Sequence, residues 1–208
     1  MKQKLGIIDY GVGNLFSISN VFEYFGAKID LIKNPATLKN YDKIILPGVG
    51  SFKHCMGLIK SMGFDNEVKE FAMKKKPILG ICVGMQLLAE SSTENGITKG
   101  FGFLEKKVEK FNKEEINNNM IPHVGFNTVF FDKSNKLFKD FEDNADFYFT
   151  HSYRISAEKI FCPHSFFKFG GNFLSSFEKD NIYGVQFHPE KSQVNGMKLL
   201  YNYMQLEC

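Results

Sequence analysis

The 208-residue chain contains no tryptophan, and its four cysteines, Cys55, Cys82, Cys162 and Cys208, form no Cys-x-x-Cys pair. This sparse and irregular cysteine usage fits a reduced protein of the cytoplasm better than a disulfide framework. The sequence also lacks an apolar stretch long enough to cross a membrane. We expect no signal peptide, because the first residues run straight into a predicted strand, and no membrane association.

Charge of one sign is not concentrated anywhere in this sequence. The formal net charge is +3, and Lys74–Lys76 is the only compact basic run. A solvated helix end explains that run, and no nucleic-acid-binding motif accompanies it, so we expect no nucleic-acid partner. Hydrophobic residues make up 43% of the chain and charged residues 24%, as in ordinary water-soluble proteins. No repeat or linker divides the sequence, and its length predicts a single domain over residues 1–208.

Strand and helix patterns alternate through the N-terminal half. The predicted strands are Lys4–Asp9, Lys28–Ile32, Lys43–Leu46 and Pro77–Ile81, and the predicted helices are Phe52–Ser61, Asp65–Lys75 and a helix that Asn14 caps and that runs to Phe25. This alternation predicts an α/β fold with an open, mainly parallel central sheet and helices on both faces. Ligands bind such sheets at the carboxyl ends of the strands, where glycine-rich turns follow Asp9, Leu46 and Ile81.

The C-terminal half is richer in strands, which makes the predicted sheet mixed. Phe147–Phe149, Phe173–Phe177 and Ile182–Gln186 are predicted strands, the last two a neighbouring pair joined by a short turn. Gly196–Gln205 is predicted to form a closing helix. The segment Lys106–Asn119 is polar and rich in asparagine, which indicates an exposed loop or a sheet edge.

The position of one cysteine, Cys82, favours a role as a catalytic nucleophile. Cys82 lies between Gly80 and Gly84, after an apolar strand and before the helical segment Met85–Glu90. This strand–turn–helix arrangement is a nucleophile elbow with cysteine in the place of serine, and its glycines suit a strained turn. The helix N-terminus favours the thiolate over the thiol. The alternative is a buried structural cysteine behind a glycine turn, and the motif alone names no reaction.

A histidine and a glutamate follow a second predicted strand far downstream. His188 and Glu190 flank Pro189, which excludes a regular helix and biases His188 towards extended backbone. A cysteine nucleophile needs a base for its proton, and the base needs a third group that holds its tautomer. His188 and Glu190 can supply both functions. The alternative is a loop histidine beside a solvated acid.

Several short motifs together resemble the class I, or triad, glutamine amidotransferases. Gly80–Gln86 and Gln186–Glu190 carry that resemblance. Within the class, the chain is similar from end to end to the glutaminase subunits of imidazole glycerol phosphate synthases. The matching segments, in the order of that family, are Asp9–Asn14, Pro47–Gly50, Pro122–Asn127, His151–Tyr153 and His188–Ser192.

The resemblance implies a flavodoxin-like class I glutamine amidotransferase fold and the hydrolysis of L-glutamine to glutamate and ammonia. Cys82 would attack the side-chain amide, His188 would carry the proton, and Glu190 would orient His188. The implied partner is a (β/α)8-barrel cyclase subunit in a heterodimer, which receives the ammonia through a channel. It makes imidazole glycerol phosphate and an aminoimidazole carboxamide ribotide in histidine synthesis. Neither a cofactor nor a metal is implied.

The resemblance also assigns residues to three further functions. The N–H of Val83 is the generic elbow donor to the oxyanion. Val49 or Gly50 would supply the second donor, which a peptide flip in that turn could switch on or off. The residues implied at the bound glutamine are Gly48, Gln86, His151, Ser152 and Tyr153. The residues implied at the partner interface and ammonia gate are Asn14, Phe126, Asn127, Tyr148 and Lys191.

Two positions depart from the family pattern. Phe126 stands where the family usually has tryptophan, so the apolar ring near the ammonia exit is kept while the indole N–H donor is lost. Phe169 stands in the place of the family's usual tyrosine before Gly170. Neither change touches the three catalytic candidates, but both bear on which synthase the chain serves.

Three alternatives to a role in histidine synthesis stay open. The first is a paralogous glutaminase that supplies ammonia to a sugar amidotransferase for surface glycans, with which Phe126 and the segment Gln193–Gly196 are compatible. The second is a cysteine hydrolase or peptidase of the same superfamily, against which Met85–Gln86 and Pro189–Glu190 argue. The third is a catalytically inactive binding protein, which the intact catalytic candidates disfavour.

Overall fold

A computed structural model describes residues 3–207, and Met1, Lys2 and Cys208 lie outside the described residues. Its strands are β1 Leu5–Ile8, β2 Ile29–Ile32, β3 Lys43–Leu46, β4 Ile78–Ile81, β5 Ala89–Ser92, β6 Thr98–Lys99, β7 Leu104–Lys110, β8 His123–Phe131, β9 Asn144–His151, β10 Tyr153–Arg154, β11 His164–Phe169, β12 Gly171–Lys179 and β13 Ile182–Val185. Its α-helices are α1 Leu15–Tyr24, α2 Phe52–Ser61, α3 Phe64–Met73, α4 Val83–Leu87 and α5 Gln193–Gln205. Short 3₁₀ turns cover Pro35–Asn40, Lys136–Phe138 and Pro189–Lys191.

A nine-stranded sheet in the order β2-β1-β3-β4-β13-β12-β11-β8-β9 forms the centre of this part of the chain. The strands from β2 to β13 run parallel, and β12, β11, β8 and β9 continue the sheet antiparallel. The parallel strands β1, β3, β4 and β13 are buried along their whole length, as expected where both faces of a sheet are covered. The prediction of an open, mixed α/β sheet is confirmed.

The order of the parallel strands brings distant sequence segments together. β4 lies between β3 and β13. Leu46 of β3 pairs with Gly80, and Val185 of β13 pairs with Ile81, so the three strands end at the same edge. The turn after β3, the cysteine after β4 and the histidine loop after β13 therefore converge at one point.

Most of the predicted helices and strands are confirmed, with small shifts at their ends. β3 and α2 cover the predicted ranges, and α1 stops just before Gly26, whose φ of 70° is the left-handed conformation that ends a helix. β12 and β13 form the predicted antiparallel pair across the turn at Asp180. The closing helix α5 is longer than predicted, because it begins at Gln193.

The prediction of a helix over Met85–Glu90 is only partly right. The helix after Cys82 covers Val83–Leu87, and the chain then enters β5 at Ala89. β5 belongs to a second sheet in the order β10-β7-β5-β6. Its pairing with β6 and β7 overrides the local helical pattern.

The prediction of an exposed loop or edge over Lys106–Asn119 is wrong for the first part of the segment and right for the second, because residues 112–119 lie outside the strands and helices and are mostly exposed. The first part of this segment lies in β7, which has β5 on one side and β10 on the other. Val108, Phe111 and Ile116 are buried. Within β7 the buried side chains are Leu104 and Val108, and Phe111 and Ile116 anchor the loop that follows it.

Phenylalanine rings fill the core on the antiparallel side of the large sheet. Phe147 stacks on Phe187 with ring centroids 4.0 Å apart, and Phe149 lies 4.6 Å from Phe167. All four side chains are fully buried, and each contributes about 1.5–3 kcal/mol by burial. Because Phe187 immediately precedes His188, this cluster fixes the start of the histidine loop against β9.

The cysteines that the structure describes, Cys55, Cys82 and Cys162, are free thiols. Within residues 3–207 no helix is long and apolar enough to span a membrane. The same residues contain no group of three or more histidine, cysteine or acidic side chains that could hold a metal ion.

Candidate active site

Cys82 sits at the apex of the turn between β4 and α4, in a strained backbone conformation. Its φ of 55° and ψ of −113° lie in a region that non-glycine residues rarely adopt, and its N–H donates to Val185 O at 2.8 Å. A Cβ atom on Gly84 would lie 1.8 Å from Leu46 O, and one on Gly80 would lie 2.7 Å from the Gly84 backbone. Glycine on both sides of Cys82 is therefore a packing requirement of the elbow.

His188 and Glu190 form a buried pair beside Cys82. His188 Nδ1 and Glu190 Oε1 are 2.8 Å apart, and the glutamate side chain is fully buried. Burial alone would lower the pKa of His188, but hydrogen bonds to Cys82 and Glu190 and their negative charge raise it well above its usual value. This balance favours the protonated imidazolium of His188.

Asn14 binds the same oxygen of this carboxylate as His188 does. It occupies the N-cap position of α1, but its side chain makes no capping hydrogen bond. Its Nδ2 instead donates to Glu190 Oε1 at 3.2 Å. The predicted side-chain cap is thus wrong: the side chain is turned towards the carboxylate, a strong acceptor for its Nδ2, and its Oδ1 makes no capping hydrogen bond with the helix.

The loop that carries His188 is fixed by three hydrogen bonds. The His188 N–H donates to Tyr148 O at 2.8 Å, and Ser192 Oγ donates to His188 O at 2.6 Å. Ser192 Oγ also accepts from the Tyr148 N–H at 2.9 Å. The imidazole is therefore positioned by β9 as well as by its own loop.

A cavity of about 380 Å³ opens over Cys82 and His188. It is lined by Val49, Gly50, Cys82, Val83, Gln86, Glu94, Pro122, Thr150, His151, Ser152, Tyr153, His188 and Lys191. Most of the predicted site residues therefore meet in one place. Of the others, Glu190 lies behind His188, Gly48 lies under the elbow, and Asn14 contacts only the glutamate.

The turn after β3 is packed directly against the elbow. A Cβ on Gly48 would lie 2.7 Å from Gly84 N, which leaves no room for a side chain. Tyr10 Oη donates to Pro47 O at 2.6 Å, and Cys55 Sγ donates to Val49 O at 3.4 Å. Burial raises the pKa of Tyr10 and of Cys55, so both stay protonated and keep donating to these carbonyls.

Gln86 contacts the cavity with only one free polar atom. Its Nε2 donates to Tyr153 O at 3.1 Å and to Gln186 Oε1 at 2.9 Å. Both amide hydrogens are thereby used, so Gln86 can only accept a hydrogen bond from a ligand.

His151 lies beside this group as a neutral side chain. Burial lowers the pKa of His151 to about 3 and that of its neighbour His123 to about 4. His151 Nδ1 donates to Tyr153 O at 2.7 Å, which fixes its tautomer. His151 therefore contributes no charge to the cavity and supports the backbone of Tyr153.

Sequence reasoning did not place Pro122, Thr150 and Glu94 at the cavity, and it assigned no function to Gln186. Glu94 lines the cavity and its Oε2 accepts from the Phe52 N–H at 2.6 Å, which adds a carboxylate that no motif indicated. Gln186 contacts Cys82 Sγ at 3.8 Å. Its place at the start of the motif Gln186–Glu190 was the one signal that the sequence offered.

Three of the predicted interface residues cluster at one edge of the cavity. Phe126 pairs with Tyr148 across β8 and β9, with ring centroids 5.6 Å apart, and Lys191 Nζ lies 5.8 Å from the Tyr148 ring. Phe126 is 51% exposed, which is high for so large an apolar side chain. Asn127, the fourth predicted interface residue, follows Phe126 on the same strand but points to the opposite face, where its Nδ2 lies near His123 and donates to Lys168 O.

An open α/β sheet with a cysteine at a strand–helix elbow and a buried histidine–glutamate pair defines an enzyme of the thiol acyl-transfer class. The family described as glutamine amidotransferase class-I matches residues 6–205. The imidazole glycerol phosphate synthase subunit HisH 1 of Campylobacter jejuni is 44% identical over 203 residues, 97% of this chain and 100% of that protein. The HisH subunit of Leptospira interrogans is 43% identical over 204 residues, with the same shares covered. The chain belongs to the class-I glutamine amidotransferases and, within them, to the HisH family.

Solved structures support the same fold at low sequence identity. The structure of PurLQS from Thermotoga maritima matches with a TM-score of 0.74 and 18% identity over 97% of both chains. A glutamine amidotransferase from the same organism matches with a TM-score of 0.65 and 18% identity, over 98% of this chain and 83% of that one. At these identities the likeness concerns the fold alone.

Proposed function

We propose that the chain is the glutaminase subunit of an imidazole glycerol phosphate synthase, a single-domain enzyme that releases ammonia from L-glutamine. The observation that carries this proposal is the meeting of Cys82, His188 and Glu190 at one cavity, in a chain that aligns over nearly its whole length with HisH subunits. Free Cys55, Cys82 and Cys162 support a reducing compartment, and we assign the reaction to the cytoplasm.

The reaction starts at the thiolate of Cys82. The sulfur attacks the side-chain amide carbon of glutamine, and His188 gives its proton to the nitrogen, which leaves as ammonia. The product is a glutamyl thioester. His188, now neutral, takes a proton from a water that attacks the thioester, and glutamate leaves as the thiolate is restored.

Two backbone N–H groups would stabilise the negative oxygen of each tetrahedral intermediate. The first is that of Val83, directly after the nucleophile. The second comes from Val49 or Gly50, which line the same cavity. One such donor is worth about 10²–10³ in rate, so a flip of this turn would switch the activity. The left-handed φ of 94° at Gly50 supports a turn that can change its peptide orientation.

The amino-acid end of glutamine fits the remaining polar groups of the cavity. The Glu94 carboxylate and the free Oε1 of Gln86 can accept from the α-ammonium group. Ser152 and the backbone of Tyr153 can donate to the α-carboxylate. Neutral His151 fixes the strand that carries both.

The partner is a (β/α)8-barrel subunit that covers the edge formed by Phe126, Tyr148 and Lys191. The exposed ring of Phe126 supports an apolar contact there. Lys191 lines the cavity and lies over Tyr148, where it can pair with an acidic residue of the barrel. Asn14, which was expected at this face, would act on Glu190 instead.

The test is glutamine hydrolysis by the purified chain, alone and with the imidazole glycerol phosphate synthase barrel of the same organism plus its ribotide ligand. Strong stimulation by the pair is expected. The variant Cys82→Ala should lose hydrolysis and still bind the barrel. An absence of hydrolysis under every condition would contradict the proposal.

A second function is favoured by one observation, the phenylalanine at position 126. A smaller ring without an N–H donor changes the ammonia exit, as a different ammonia-consuming partner would require. Glutamine hydrolysis that the barrel does not stimulate would support a sugar amidotransferase as the client. Cys82 would keep its role in that case.

A further inference from the structure

The amide of Gln186 lies at the base of the site and is fully buried. Its Nε2 donates to Cys82 Sγ at 3.8 Å, and its Oε1 accepts from Gln86 Nε2 at 2.9 Å. The proposed steps of glutamine hydrolysis leave this side chain without a function. A buried amide that touches a reactive sulfur is nevertheless well placed to act on it.

The direction of these hydrogen bonds is set by one backbone carbonyl. Tyr153 O accepts from the Gln86 amide at 3.1 Å, and because a carbonyl can only accept, Gln86 must turn its NH₂ group towards it. The same NH₂ group meets Gln186, which must therefore present Oε1. The Nε2 of Gln186 is left to face Cys82, so the alternative amide orientation is excluded.

A buried histidine, His151, binds the Tyr153 carbonyl from its other side, and a second, His123, supports His151. His151 Nδ1 lies 2.7 Å from Tyr153 O, so it carries the hydrogen, and His151 Nε2 is free to accept from His123 Nδ1 at 3.1 Å. His123 Nε2 then accepts from Asn127 Nδ2 at 3.4 Å. Every contact in this line pairs a donor with an acceptor only when both imidazoles are neutral, as their burial requires. Tyr153 O is thus a fixed acceptor with both lone pairs used.

We propose that Gln186 is a positioning residue for the nucleophile: its fixed N–H donor holds the sulfur of Cys82 opposite His188 and stabilises the negative charge on that sulfur. The proposal deepens the glutaminase function and rests on it. The sulfur is negative twice in the cycle, before it attacks the amide and when it leaves the thioester. A donor fixed in advance favours the charged form at both points.

Two substitutions distinguish a hydrogen-bond donor at position 186 from a side chain that only fills the space there. Gln186→Met keeps the length of the side chain and removes the donor. Gln186→Glu keeps an acceptor for Gln86 and turns a carboxylate oxygen, which cannot donate when ionised, towards the sulfur. Gln205→Met is the matched control, because Gln205 is exposed on α5, away from the cavity.

The measurement is the rate at which iodoacetamide alkylates Cys82 as a function of pH. Mass spectrometry of the peptide that contains Cys82 separates this signal from the other thiols. In Gln186→Met we expect the pH of half-maximal alkylation to rise by about one unit, which is about tenfold less thiolate at neutral pH. Gln186→Glu should shift it further, and Gln205→Met should leave it unchanged. In Gln186→Glu, which keeps the acceptor for Gln86, glutamine hydrolysis should lose kcat and keep KM.

A wild-type alkylation profile in a folded Gln186→Met or Gln186→Glu chain would overturn the proposal. Circular dichroism and the unfolding temperature establish whether each variant is folded, and either variant alone decides the matter. The alkylation assay contains neither glutamine nor a barrel partner. Its result therefore stands apart from the proposed function, which fails separately if the wild-type chain does not hydrolyse glutamine.

Discussion

Replacing Glu190 by glutamine removes one negative charge from the site and keeps the shape of the side chain. Glu190 Oε1 accepts from His188 Nδ1 at 2.8 Å and from Asn14 Nδ2 at 3.2 Å. Two donors point at this position, so the amide oxygen of Glu190→Gln should take it. The new NH₂ group then replaces Oε2, a buried atom without a hydrogen-bond partner among the described residues.

The size of the effect follows from that geometry. A hydrogen bond to a charged group contributes about 1.5–3 kcal/mol and a neutral one about 0.5–1.5 kcal/mol. The imidazolium of His188 therefore loses about 1–2 kcal/mol, which predicts a kcat about 5- to 30-fold lower. The corresponding change in a serine protease triad costs about 10⁴, because the amide there selects the wrong histidine tautomer. We expect the smaller loss because Asn14 keeps the amide oxygen turned to His188.

The assay is glutamine hydrolysis by Glu190→Gln across the neutral and alkaline pH range. Glu190 helps to raise the pKa of His188 against burial, so the variant should lose activity at lower pH than the wild type on the alkaline side. Adding Asn14→Ala frees the amide to turn and should deepen the loss. The exposed Glu70→Gln is the control. Full activity with an unchanged alkaline limit, or a 10⁴-fold loss in the single variant, would refute the reasoning.

Three further predictions concern packing, acid stability and the nucleophile. Gly84→Ala places a Cβ 1.8 Å from Leu46 O, so the free energy of unfolding, measured by thermal unfolding, should fall by at least the usual cost of overpacking, about 1–3 kcal/mol. Gly57→Ala is the control, because this position on α2 faces open space and the substitution should be neutral or stabilising. Because burial lowers the pKa of His123 to about 4 and that of His151 to about 3, the free energy of unfolding should fall as pH drops below about 6.5, by about 1.4 kcal/mol per pH unit for each histidine. Urea titrations of His123→Phe should show about half that slope, and an unchanged slope would contradict the assignment of neutral histidines. Cys82→Ala should abolish hydrolysis and keep its fold, whereas a chain that no longer folds would identify a structural cysteine.

The parts of this molecule that were predictable from sequence are those set by local pattern. The apolar runs, the glycines at the turns and the strand–turn–helix around Cys82 each determine the local structure through residues that are close in sequence. Parallel topology then brings the carboxyl ends of β3, β4 and β13 together without further information. This is why the meeting of Cys82 with His188 could be expected before any contact was known.

The rest depends on contacts between distant residues. Gln186 and Gln86 are one hundred positions apart, and Asn14 and Glu190 are further apart still, so no local pattern could pair them. Glu94 lies in a polar stretch that resembles any surface turn, and only the position of β5 brings it to the cavity. β7 was missed for a related reason, because only two of its side chains, Leu104 and Val108, are buried and the others are mostly polar and exposed.

The central claim is that Cys82 forms the covalent intermediate, and rapid acid quenching tests it directly. The purified chain would be mixed with glutamine, with its barrel partner present, quenched during turnover and digested for mass spectrometry. The account predicts one glutamyl group on the peptide that contains Cys82, released by hydroxylamine and absent from Cys82→Ala. Turnover of glutamine with no adduct on that peptide, or with the adduct on another residue, would contradict it.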